Sequence, residues 1–148
     1  MELSCKSEYA LLALFELASK YKEGEPLQIR QIAAKQDIPD RYLEQLLATL
    51  RRGGIVRSQR GARGGYLLAR EPWAIDLLEI VQCIEGIDNQ QAEPCGPSGQ
   101  STSLEGTIVR EVWHEAQLAA DAVLKGYTLH DLCEQRNARH RSDLMYYI

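Results

Sequence analysis

The stretch 27–65, LQIRQIAAKQDIPDRYLEQLLATLRRGGIVRSQRGARGG, constrains this chain more than any other. Its apolar residues recur at helical spacing, stop at an Asp-Ile-Pro-Asp turn, and resume as a leucine stripe. Leu43, Leu46, Leu47 and Leu50 fall on one side of a helix predicted over 40–52. The spacing predicts a shorter helix over 27–35, with Ile29, Ile32 and Ala33 inward. Pro39 suits the first turn of the second helix, and Asp40 sits where the helix dipole favours an acid. Two helices joined by a tight turn form the helix-turn-helix unit that reads duplex DNA. Gly53-Gly54 ends the second helix. Two short strands follow, over 55–58 and 65–68, around the glycine- and arginine-rich segment 59–64, so a hairpin wing is expected. The fold class is therefore mainly α with a small β-hairpin wing.

Charge supports a nucleic-acid reading only once its distribution is examined. The 148-residue chain carries a net charge of −4. Residues 27–70, however, hold nine Lys or Arg against three Asp or Glu, a local +6, and the rest of the chain balances to −10. Arg51, Arg52, Arg57, Arg60, Arg63 and Arg70 succeed one another with no acid between them. Binding depends on the field at the contacting face, and this face is basic.

On either side of this unit the pattern is helical. Residues 7–21 form an amphipathic helix with Ser7 as its N-cap, and Gly24 and Pro26 break it. A fourth helix is expected over 73–84, stopped by Gly86. Residues 88–103 read as a polar loop containing Cys95. A long helix follows over 104–124, its apolar side carrying Leu104, Ile108, Val112, Ala116, Ala119 and Val123, and is assigned to dimerisation. Thr128 caps a short helix over 129–134. The polar tail ends on the apolar run 144–148, expected to dock on the fold or on a partner subunit. The division is a winged helix-turn-helix DNA-binding domain over 1–86, a sensing loop over 87–103, and a dimerisation helix with its tail over 104–148.

No apolar run reaches the roughly 20 residues of a membrane span, and Glu8 and Glu16 interrupt the first apolar face, so it is not read as a signal peptide. The expected location is the cytoplasm. Cys5, Cys83, Cys95 and Cys133 contain no Cys-x-x-Cys pair and are expected as free thiols, with Cys5, Cys83 and Cys133 in the core. A Cys95–His114 hydrolase lacks an oxyanion site and an orienting partner, so no enzyme activity is expected.

Arg41, Tyr42, Glu44 and Gln45 are the candidates for contacts from the second helix of the motif. Gln45 suits an adenine edge, Arg41 guanine or phosphate, Glu44 cytosine N4, and Tyr42 a phosphate. Arg57, Arg60 and Arg63 are the wing candidates, for a narrow minor groove or the backbone. Arg51, Arg52 and Gln28 are candidates for phosphate contacts.

Several segments in order resemble a known family: LSCKSEYALLAL at the start, Tyr42-Leu43-Glu44-Gln45-Leu46, the wing from Arg60 to Ala69, and Thr128-Leu129-His130-Asp131-Leu132. The chain resembles the winged helix-turn-helix regulators of the IscR, NsrR and CymR type. The resemblance implies a homodimer bound to a pseudo-palindromic operator on double-stranded DNA, and the chain is read as a repressor. Cluster-binding members of such a family carry three cysteines in the loop before the long helix. This chain has Cys95 alone there, with Ser98, Ser101, Ser103 and Thr107 downstream. Glu8 matches the position where some relatives supply an acidic ligand from near the N-terminus of the other subunit. One thiolate and one carboxylate fall short of the usual four ligands, so no cofactor is favoured. The alternative is an atypical iron–sulfur site recruiting His114 or Cys5, and Cys95 is otherwise a candidate redox-sensing thiol. The competing function is a winged-helix protein-interaction scaffold with no operator.

Overall fold

A computed structural model describes residues 3–89 and 103–146. The order is α1 (Cys5–Ser19), α2 (Ile29–Gln36), α3 (Asp40–Arg52), β1 (Val56–Gln59), β2 (Gly65–Leu68), a 3-10 turn (Pro72–Ala74), α4 (Leu77–Asn89), α5 (Leu104–Lys125) and α6 (Leu129–Tyr146). The two strands pair antiparallel, with Val56 opposite Leu68 and Gln59 opposite Gly65. The expected mainly helical fold with a hairpin wing is what forms.

The core is built from one face of each element. Ala10, Ala13 and Leu14 of α1, Ile32 of α2, and the predicted stripe Leu43, Leu46, Leu47 and Leu50 of α3 pack together with Ile55, Val56, Ile75, Ile80 and Leu129. In the motif's turn, Asp37 adopts a left-handed conformation (φ 53°) that its short polar side chain tolerates, and Ile38 is buried beneath it. One carboxylate ties α1 to α2: Glu16 is only 7% exposed, accepts from Gln36 Nε2 at 2.6 Å and pairs with Lys35 at 3.4 Å.

The wing is fixed by backbone rather than by side chains. Leu27 N–H donates to Tyr66 O at 3.0 Å, and Tyr66 N–H donates to Leu27 O at 2.8 Å. The chain therefore stays extended through Leu27, and α2 starts at Ile29, two residues later than expected. The approach is so close that a Cβ on Gly65 would lie 2.4 Å from Leu27 O.

Further expectations are corrected. Ser4, not Ser7, caps α1, accepting from Ser7 N–H at 3.1 Å. Ser7 is fully buried and its hydroxyl donates to Glu85 at 2.8 Å, as the Ser4 hydroxyl also does. The helix thus begins earlier, and Cys5 is exposed rather than in the core. The region 73–84 is not one helix: Ile75 accepts from Leu129 N–H and Leu77 donates to Tyr127 O, each at 2.9 Å, which straightens the chain there. Asp76 then caps α4 through Glu79 N–H at 2.8 Å, and α4 passes through Gly86 to Asn89. Finally, α6 runs for 18 residues rather than six. Its start is locked by Thr128 and Asp131, each accepting from the other's backbone N–H, and Glu, Gln, Arg and Ala then sustain it. Leu144 and Met145 stay exposed on it rather than docking within the chain.

Two predictions follow from these constraints. Gly65→Ala must part the wing from Leu27 and should cost about 2 kcal/mol, read as a lower denaturant midpoint at unchanged slope. The hydrogen bonds from Thr128 backbone and hydroxyl hold the Asp131 carboxyl below the usual carboxylate range. A depressed folded-state value contributes stability that is present above the unfolded value and lost as pH falls through the folded one. Asp131→Asn should therefore lower the melting temperature at neutral pH, with the gap to wild type closing in acid.

Candidate nucleic-acid interface

The buried leucines of α3 dictate what its other side shows. Arg41, Glu44, Gln45, Arg51 and Arg52 are exposed, and Ala48 is half-buried. Tyr42 is also half-buried, its ring edge-on to Tyr9 at 5.5 Å and 82°, which holds it toward α1. A groove of about 350 Å³ runs along this side of α3, lined by Tyr42, Gln45, Arg52 and, from α1, Lys6.

On β1 only Val56 is buried, so Arg57, Ser58 and Gln59 all face solvent. Arg51 Nη1 donates to Ser58 Oγ at 3.3 Å, bracing the end of α3 against the wing. Arg60 and Arg63 are exposed at the hairpin tip, closed by Gly64 N–H donating to Gly61 O at 2.9 Å. A Cβ on Gly64 would lie 2.4 Å from Gln59 O, so the tip admits no side chain there.

Gln28 stands exposed at the N-cap of α2, its N–H donating to Gln31 Oε1 at 2.9 Å. Beside it lies Arg30, which the sequence reasoning passed over. Arg30, Gln28, Ser58 and Gln59 line one hollow of about 430 Å³ between the start of α2 and the wing. Two cations of the basic stretch are spoken for internally: Lys35 pairs with Glu16, and Arg70 with Glu79. Among the described residues, Arg30, Arg41, Arg51, Arg52, Arg57, Arg60 and Arg63 have no carboxylate partner. Their charge is directed at solvent.

Behind α3 lies Cys83, donating to Thr49 O at 3.5 Å. Burial pushes its thiol pKa up, with Glu79 adding to the effect and Arg52 opposing it. Burial raises Cys133 likewise. Both are protonated, poor nucleophiles at neutral pH.

The sensing candidates do not gather in one chain. Cys5 and Glu8 are exposed on the first turn of α1. His114 is exposed on α5, beside a groove shared with Leu78, Gln82 and Glu85 of α4. Cys95 lies outside the described residues. No three His, Cys, Asp or Glu converge among the described residues.

The family described as Rrf2, iron-dependent transcriptional regulator, matches residues 3–135. The transcriptional regulator CymR of Bacillus subtilis is 36% identical over 146 residues, 99% of each chain. Among solved structures, IscR of T. potens superposes with a TM-score of 0.74 at 34% identity, covering 92% of this chain and 88% of that one. The structure of CymR, the global cysteine regulator of B. subtilis, gives 0.73 at 35% identity, covering 91% and 98%.

Proposed function

Because the chain belongs to the Rrf2 family of transcriptional regulators, and not to a family of enzymes, we propose that it is a homodimeric repressor that reads a pseudo-palindromic operator. One observation carries the reading: seven cations with no carboxylate partner among the described residues lie on the start of α2, on α3 and on the wing of an otherwise acidic molecule. In this reading α3 enters the major groove. Gln45 pairs with an adenine edge, Arg41 with guanine or phosphate, and Glu44 with cytosine N4. Arg60 and Arg63 enter the flanking minor groove, while Gln28, Arg30, Arg51, Arg52 and Arg57 hold phosphates. Tyr42 orients the helix through Tyr9 and reaches a phosphate with its hydroxyl.

Residues 1–86 then form the reading domain and 104–148 the dimer-forming part. α5 supports this assignment. It is 22 residues long, about 33 Å, and buries none of them. Leu104, Ile108, Val109, Val112, Trp113 and Val123 are all exposed on it. An apolar helix face of that length is an association surface. Placement in the cytoplasm follows from the operator, and no described helix is long and apolar enough to cross a membrane. Cys95, which lies outside the described residues, is the proposed redox-sensing thiol.

Three outcomes test the reading. Arg60→Ala and Arg63→Ala should each weaken operator binding and lower the slope of log K against log salt by about 1; a protein-interaction scaffold would be indifferent to both. Gln45→Ala should cost about 1–3 kcal/mol at a single base position and relax selectivity there, read by competition with singly substituted duplexes. Val112→Glu should leave the monomer folded by circular dichroism yet shift sedimentation from dimer to monomer.

A further inference from the structure

A second cavity, of about 300 Å³, lies between the end of α1, the 3-10 turn and α6. None of these segments carries a residue assigned above to DNA. The volume is at the lower end of the range for small-molecule sites, on the order of 300–1,000 Å³. Three aromatic rings rim it. Trp73 stands edge-on to Tyr21 (6.0 Å, 90°) and to His130 (6.2 Å, 86°). Trp73 remains 57% exposed, which leaves indole surface accessible for an aromatic ligand to stack on.

Arg136 supplies the complementary feature. Its guanidinium carbon lies 5.4 Å from the centroid of Phe15. No carboxylate pairs with it among the described residues. A guanidinium resting on an aromatic face still offers its in-plane N–H fork, the geometry that accepts a carboxylate through two parallel bonds. Lys22 adds a second cation to the lining, against the exposed acid Glu134. Cys133 also lines the cavity; as a protonated thiol it is a soft, weakly polar wall.

We propose that this cavity binds a small carboxylate with a flat aromatic or heteroaromatic body, its ring against Trp73 and its carboxylate on Arg136. The site is independent of the DNA reading, because binding is measured on the free protein. Such a ligand would bridge α6 to the end of α1 and stabilise the folded chain by linkage.

Trp73 and Trp113 are the chain's two tryptophans, so Trp113→Phe makes Trp73 the sole indole reporter. Benzoate is the probe, with benzamide as its uncharged isostere. Benzoate should change Trp73 fluorescence saturably, with a Kd on the order of millimolar for so few atoms, and benzamide should bind at least tenfold more weakly. Arg136→Gln should weaken benzoate at least tenfold, whereas Arg139→Gln, on the same helix, should not. Should Arg136→Gln unfold, calorimetric titration of Trp73→Ala carries the test, with benzoate binding expected to be lost. No saturable response to benzoate, equal binding of benzamide, or binding unmoved by Arg136→Gln and Trp73→Ala would overturn the assignment.

Discussion

Four leucines on one side of α3 decide which way the rest of the motif faces. Leu43 and Leu47 are wholly buried, as is Leu50, and Leu46 is nearly so. Turning the helix about its axis would expose that stripe, at about 1.5–3 kcal/mol per leucine. The polar face has no such freedom: once the leucines are inside, Arg41, Glu44 and Gln45 must project outward. The orientation of the candidate DNA-reading face is thus a consequence of packing and does not depend on any contact those side chains make.

Polar anchors then set how the neighbouring elements meet α3. Glu16 holds α2 to α1 through Gln36 and Lys35. Glu85 collects the hydroxyls of Ser4 and Ser7 and so ties the start of α1 to α4. The reciprocal backbone bonds between Leu27 and Tyr66 place the wing beside the start of α2, which brings Arg30 and Gln28 next to Gln59. Glu16 and Glu85 serve the first two of these joints, and among the described residues the wing and α3 arginines have no carboxylate partner. That division of labour concentrates positive potential on one face of a chain whose net charge is negative.

The parts of this arrangement that rest on local pattern were legible in the chain. The α3 limits and its stripe follow from leucines at helical spacing, and the hairpin from glycines flanking short apolar runs. What depended on distant partners was not legible. Ser7 reads as a cap until Glu85, on another helix, is seen to need its hydroxyl. The start of α4 is displaced because Ile75 and Leu77 bond to the chain at Tyr127 and Leu129. The length of α6 was hidden by its polarity, since a helix anchored by Leu129 and Arg136 needs no continuous apolar stripe. Arg30 was passed over because only the fold places it against the wing, although its position two residues after Gln28 was a signal.

The central claim is that α3 and the wing together read duplex DNA in two symmetric copies. Hydroxyl-radical footprinting on a duplex selected from random sequence measures this most directly. The account predicts two protected patches on one side of the helix, centred about one turn apart or a multiple of it, each with a major-groove core and a minor-groove flank. Failure to enrich any sequence, or uniform protection without a repeat, would contradict it.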